Sequence, residues 1–161
     1  MPDNVSQEQQ DYLAAIHRAW LGEVYGQAFF ESVANNTNDP ERAETWKLLA
    51  HLEEVTGRRM LTLVEANSLS AELPESLEQM VEMGVAYAKM PHQQAMQEMK
   101  PTIDSAVERY EALLDVAPEH EQTAVQFLVD HERALASFVD SELSGQSKSA
   151  LDDVRALLSG L

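Results

Sequence analysis

Residues 46–60, WKLLAHLEEVTGRRM, carry the clearest helical pattern in the chain. At about 100° per residue, one face of this helix holds three leucines and a threonine: Leu49, Leu52, Thr56 and Leu63. Glu53 lies at the edge of that face, whereas Glu54 points away from it. The pattern predicts an amphipathic helix that buries a threonine and holds one carboxylate at the border of the core.

Helix start and stop signals divide the rest of the chain. Ser6 begins an S-x-x-Q capping pattern, and the D-P-E run at residues 39–41 combines a cap residue, a proline at the first helical position and an acid in the first turn. Gly145 suits a left-handed helix end. Pro101 falls within a helical pattern and is expected to kink that helix or to mark its start. Together these signals predict an all-α chain with helices at about 7–34, 40–67, 74–90, 92–117, 119–143 and 149–159.

The composition limits the expected partners. Lys and Arg number 11 and Asp and Glu 28, so the formal net charge is −17. Such an acidic chain is repelled by phosphate backbones and by anionic lipids, so we expect neither nucleic acid nor a membrane surface as a partner. The sequence has no cysteine, which excludes disulfides, thiolate zinc sites and iron–sulfur clusters.

Length and hydropathy indicate the organisation and location of the chain. Its 161 residues suit a single domain, 1–161. No apolar run approaches the roughly 18 residues of a membrane span, and the first residues, MPDNVSQEQQ, lack the basic and apolar regions of a signal peptide. We therefore expect one helical domain and a cytoplasmic location.

The run L-A-x-x-E-x-x-T from Leu49 to Thr56 resembles the second helix of ferritin-like and rubrerythrin-like proteins, which have histidine at the last position. The order of a hairpin, a long connection and a second hairpin also resembles their topology. The resemblance, which covers about residues 13–143, implies an all-α, ferritin-like four-helix bundle. Its long crossover between the second and third bundle helices would contain an extra helix, and a short C-terminal helix would follow.

In that family, a glutamate from each of two helices and a Glu-x-x-His from each of the other two hold a pair of irons. Carried over residue by residue, the resemblance puts Glu23 on the first helix, Glu53 and Thr56 on the second, and Leu128 and His131 on the last. The inward positions of the remaining bundle helix are apolar. The resemblance therefore leaves Glu23, Glu53 and His131 as metal candidates and implies a degenerate di-iron site.

Glu23 and His131 are expected to lie at the same depth in such a bundle. Each interrupts an apolar helix face, and each is about 20 Å along its helix from the turn of its hairpin, at 1.5 Å per residue. In a ferritin-like bundle these two turns lie at opposite ends, so the two side chains should meet near mid-height. A buried carboxylate or imidazole without a partner costs several kcal/mol, which favours a Glu23–His131 pair.

Several interpretations of these residues are open. We interpret Glu23 and His131 as a buried polar pair left from a lost metal site, with Glu53 solvated at the border of the core. An unusual site for iron or another divalent metal is an alternative, and so is an error in the helical wheel. Three-histidine metal bundles of the DNA-damage-inducible type also carry A-H-L in the second helix, so His51 with His131 is a rival pair. That interpretation lacks a third histidine at the required spacing.

Two classes of function follow. The first is a bundle without a cofactor that acts through oligomerisation or through a protein-partner surface. The second is an iron- or manganese-dependent oxidoreductase with an altered ligand set. The first helix also carries a second ridge, Gly22, Gly26 and Phe29, which a bundle core does not need. This ridge should pack on the crossover helix or on another subunit, and we predict a homodimer.

Overall fold

The structure, a computed structural model, describes residues 5–161, so residues 1–4 of the predicted domain lie outside the described part. Within that part the chain is all-helical and contains no strand. Its six α-helices are α1 (Gln7–Asn36), α2 (Pro40–Ala66), α3 (Leu77–Lys89), α4 (His92–Val116), α5 (Gln122–Leu143) and α6 (Asp152–Ser159). None of these six helices combines the length and the apolar character that crossing a bilayer requires.

The predicted helix signals act where the sequence places them. The Ser6 hydroxyl accepts a hydrogen bond from the Gln9 backbone N–H at 3.2 Å, and the Asp39 carboxylate accepts one from the Glu41 N–H at 3.0 Å. Gly145 follows α5 with a φ of +77°, in the left-handed region that glycine adopts most readily. These contacts satisfy backbone groups that helix ends leave without partners.

Several predicted boundaries are wrong by a few residues. The third helix begins at Leu77 instead of 74, because a proline permits a helix start in its first turn without fixing it. Pro101 lies inside α4 and does not mark its start. The last two helices were expected to begin at about 119 and 149, but short 3₁₀ turns lie there instead, at Glu119–Glu121 and Ser147–Ser149. Such turns are common at helix ends.

The helices pack as two hairpins, α1 with α2 and α4 with α5, which meet mainly through α2 and α5. The crossover helix α3 packs on α1, and α6 packs on α5. Two apolar clusters fill the space between the helices. One includes Phe30, Trp46 and Phe138, and the other includes Trp20, Met60 and Leu128. Along each of α1, α2 and α5, the boundary between the two clusters falls at a polar residue.

The second ridge of α1 is filled by this chain itself. The Phe29 ring lies 5.0 Å from the Tyr87 ring of α3, edge to face. A Cβ at Gly84 of α3 would lie 2.5 Å from the Ser32 Cβ and 2.7 Å from the Phe29 carbonyl oxygen, so only glycine lets α3 approach α1 this closely. Of the ridge, only Phe29 therefore packs on the crossover helix, whereas Gly22 faces Tyr110 of α4 and Gly26 faces Glu53 of α2. These contacts lie within one chain and give no separate argument for a second subunit.

Candidate metal centre

Three helices bring their polar residues to one buried point. Glu23 comes from α1, Glu53 and Thr56 from α2, and His131 from α5, and their exposed fractions are 1%, 4%, 0% and 0%. Glu23 and His131 meet, as their equal depth predicts, and Glu53 joins them. One ligand atom from each of Glu23, Glu53 and His131 lies within 4.8 Å of the other two.

The imidazole ring of His131 contacts both carboxylates. Its Nδ1 is 3.2 Å from Glu23 Oε2, and its Nε2 is 3.3 Å from Glu53 Oε1. Neither Glu23 Oε2 nor His131 Nε2 has a hydrogen-bond partner among the residues that the structure describes. Buried polar atoms are nearly always paired, so we expect a proton or a metal cation shared among these side chains to satisfy them.

Thr56 fixes the tautomer of His131. The Thr56 hydroxyl donates to the Leu52 carbonyl at 2.9 Å, one turn earlier in α2. Its oxygen lies 2.8 Å from His131 Nδ1 and, with its proton already used, must accept a hydrogen bond from the Nδ1–H group. The lone pair of the neutral imidazole is then on Nε2, the nitrogen that faces Glu53. Thr56 therefore orients the imidazole ring of His131.

The expectation that Glu53 is solvated is wrong, and Gly26 is the reason. A Cβ at Gly26 would lie 2.6 Å from both Cδ and Oε2 of Glu53. The missing side chain on α1 leaves the space through which the Glu53 carboxylate turns from the border of its helix into the core. The G-x-x-x-G pattern of the first helix thus also makes room for a third donor.

Burial and mutual charge alter the acidity of these groups. Burial raises the pKa of Glu23 well above its usual range and outweighs the opposing effect of His131, while Glu53 raises it further. Burial lowers the pKa of His131, but the two carboxylates outweigh it and hold that pKa well above its usual range. In the absence of a metal, a proton bound to His131 Nε2 can serve as the cation between the imidazole and Glu53.

The other positions implied by the resemblance do not converge on this centre. Leu128 is apolar and fully buried. The helix α4 supplies no ligand in place of the missing ones, because Asp104 pairs with Lys100 at 3.1 Å and Glu111 pairs with Arg133 at 2.7 Å on the surface. The rival pairing of His51 with His131 is wrong, because His51 is exposed and lies 3.4 Å from Glu54 of its own helix.

Glu132 is the residue that the sequence analysis missed. It is only 8% exposed and, with Glu53 and Tyr110, lines a cavity of about 270 Å³ beside the centre. Burial raises the pKa of its carboxyl to about 7, with His131 lowering and Glu53 raising it. Its position one turn from Leu128 and from Leu135, both on the buried face of α5, is the sequence signal that identifies it.

The chain was also compared with known proteins. No family model, no curated protein and no solved structure matches it. The chemistry of the centre therefore follows from its donor atoms and from the cavity beside them.

Proposed function

We propose that this chain is a ferritin-like helical bundle that binds one divalent cation through His131 Nε2 and the carboxylates of Glu53 and Glu23. The order of a hairpin, a crossover helix and a second hairpin supports the ferritin-like topology. The resemblance between residues 49–56 and the second helix of that family supports it as well. In this proposal the two-metal centre has become a one-metal centre.

One observation carries the proposal. His131 Nε2 and Glu53 Oε1 lie 3.3 Å apart, and Nε2 has no hydrogen-bond partner within residues 5–161. When His131 is neutral, with its Nδ1 proton directed at Thr56, Nε2 and Oε1 present lone pairs to each other, so a metal cation can take the place of the proton that Nε2 binds in the metal-free protein. Two carboxylates also balance the charge of one divalent ion.

The same residues do not fit a pair of irons. A di-iron centre needs about four carboxylates and two imidazoles. The described residues bring together one group of possible metal ligands, and it has only two carboxylates and one imidazole. Thr56 and Leu128 occupy positions where the family has a histidine and a glutamate. The donor set suits one Fe²⁺, Mn²⁺ or Zn²⁺, all of which accept imidazole nitrogen and carboxylate oxygen.

The arrangement has a chemical consequence beyond binding. A cation held by three protein ligands keeps coordination positions free for a small molecule and, if it is iron or manganese, can change oxidation state. Glu53 belongs both to the donor set and to the wall of the cavity of about 270 Å³. The cavity thus gives a substrate a place next to the centre, which favours a metal-dependent oxidoreductase over a bundle without a cofactor.

The substitution Gly26→Ala tests the donor set. The new Cβ would lie 2.6 Å from the Glu53 carboxylate carbon, so this carboxylate must move, while the fold changes little because the displaced group is the end of a flexible side chain. We expect the affinity for Mn²⁺, measured by calorimetric titration of chelator-treated protein, to fall by about 10–100-fold.

The control is Gly160→Ala, whose Cβ would meet nothing closer than 3.6 Å. It should bind Mn²⁺ as the unchanged protein does. Equal affinities for Gly26→Ala and the unchanged protein would show that Glu53 is not a ligand. Absence of Mn²⁺, Fe²⁺ and Zn²⁺ binding in the unchanged protein would reject the metal proposal and favour the bundle without a cofactor.

A further inference from the structure

The cavity beside the candidate centre has an apolar wall of unusual composition. It lies between α1, α3, α4 and α5, and its volume is about 270 Å³. Aromatic rings and thioethers provide much of the lining, among them Tyr25, Phe29, Tyr87, Met80, Met83 and Met99. Met83 is exposed, so the cavity reaches the surface at α3. Aromatic faces attract organic cations, and flexible methionine side chains adapt their packing to a ligand.

Two carboxylates, those of Glu132 and Glu53, line the same cavity. Glu132 is more than nine-tenths buried. Among residues 5–161 the structure shows no hydrogen bond and no ion pair of its carboxylate, since the contacts of the neighbouring His131 go to Glu23, Glu53 and Thr56. A buried carboxylate without a partner is costly, and this one borders a space that a ligand can enter.

Arg109 is the one basic residue in the cavity lining. It is exposed, donates to the Ser105 hydroxyl at 3.3 Å and lies over the Tyr110 ring at 5.5 Å. It forms no ion pair with Glu132 in the described part of the chain, and as an exposed charge it is screened by solvent. It therefore leaves the carboxylate of Glu132 available.

We propose that this cavity binds an organic ammonium ion with an apolar body, whose N–H groups donate to the carboxylate of Glu132 while its apolar part packs among the aromatic and methionine side chains. An anion would lie against two carboxylates, and a neutral molecule would leave Glu132 without a counter-charge. The net charge of −17 also attracts cations to the protein. Glu132 is not a ligand in the proposed metal centre, so this binding does not require the metal.

Three probes of the same shape and different charge test the proposal: phenethylamine, phenethyl alcohol and hydrocinnamate. Each is titrated into the full chain, treated with chelator, at about pH 8, where the amine is charged. We expect phenethylamine to bind about tenfold more tightly than the alcohol and hydrocinnamate to bind least, because a charge-assisted hydrogen bond is about twice as strong as a neutral one. Equal binding of amine and alcohol would overturn the proposal.

Three variants locate the contact. Glu132→Gln should weaken phenethylamine binding about tenfold or more, whereas Glu108→Gln, the same change at an exposed site on α4, should leave it unchanged. Arg109→Gln removes a positive charge from the cavity lining. This charge repels the ammonium group and attracts a carboxylate, so the variant should bind the amine more tightly and hydrocinnamate more weakly. Unchanged amine affinity in a folded Glu132→Gln variant would contradict the assignment.

If that variant does not fold, the order of the three probes on the unchanged protein decides. All titrations use metal-free protein, so a failed metal proposal does not alter their outcome.

Discussion

Replacing His131 with leucine is expected to lower the free energy of unfolding of the metal-free protein by about 3–5 kcal/mol, the cost of breaking a buried ion pair. The imidazole lies 3.2 Å from the Glu23 carboxylate and 3.3 Å from that of Glu53. It is the only basic group of the buried cluster that these three residues form. Without it, two carboxylates are buried together with no counter-charge, and each must take up a proton or draw in water. Urea unfolding at about neutral pH measures the loss.

A second substitution separates charge from packing. Glu23→Gln alone should be mild, because the amide fills the same space and His131 keeps Thr56 and Glu53. When Glu23→Gln is added to His131→Leu, the free energy of unfolding should rise again by at least about 1 kcal/mol, because one of the two carboxylates left without a counter-charge is gone. His51→Leu, at an exposed histidine, controls for the loss of an imidazole and should have almost no effect. Strictly additive costs of His131→Leu and Glu23→Gln would contradict a charge-paired cluster.

The stability of the metal-free protein should also fall as the pH rises from about 4.5 to 7. Burial raises the pKa of the Glu132 carboxyl from 4.5 to about 7 in the folded chain. Between these values the folded state holds more protons than the unfolded state, so stability is present at low pH and is lost on the way up. At 1.36 kcal/mol per pKa unit, the loss from Glu132 reaches about 3 kcal/mol. The raised pKa of Glu23 acts in the same direction above about pH 4.5, and the raised pKa of His131 does so only above about pH 6.5.

A pair of variants separates the contribution of Glu132 to the pH dependence of stability from the general repulsion among the acidic residues of this chain. Glu132→Gln and Glu108→Gln remove one carboxylate each, so they change the net charge equally. Only Glu132→Gln, at the buried site, should flatten the decline in unfolding free energy between about pH 4.5 and 7. The same slope in both variants would mean that Glu132 ionises in the folded protein as it does in the unfolded chain.

Local signals in the sequence were sufficient for the all-helical class and for most helix ends. Ser6, Asp39 and Gly145 act through hydrogen bonds and backbone angles within a few residues of themselves, so their roles can be predicted without a fold. The meeting of Glu23 and His131 could be predicted because the rise per residue of a helix gives the distance of each residue from the end of its hairpin. Their meeting depends only on two hairpins with turns at opposite ends.

The rest of the centre depends on contacts between helices. Glu53 sits at the border of its own helical face, and its burial follows from the missing side chain of Gly26 on another helix. Thr56 looks like a lost ligand in the sequence, but its contact with His131 gives it a role in orienting the ring. Glu132 was missed because α5 is buried over a wider face than a single helical stripe through His131 predicts. Each of these outcomes requires the packing of two or more helices to be known.

A count of metal ions per chain tests the one-cation centre most directly. Chelator-treated protein is incubated without oxygen with excess Fe²⁺ or Mn²⁺, passed through a desalting column and analysed for metal and protein, beside a His131→Leu control. The set of Glu23, Glu53 and His131 predicts one tightly held ion per chain and none in the control. Two ions per chain, or none with either metal, would contradict it.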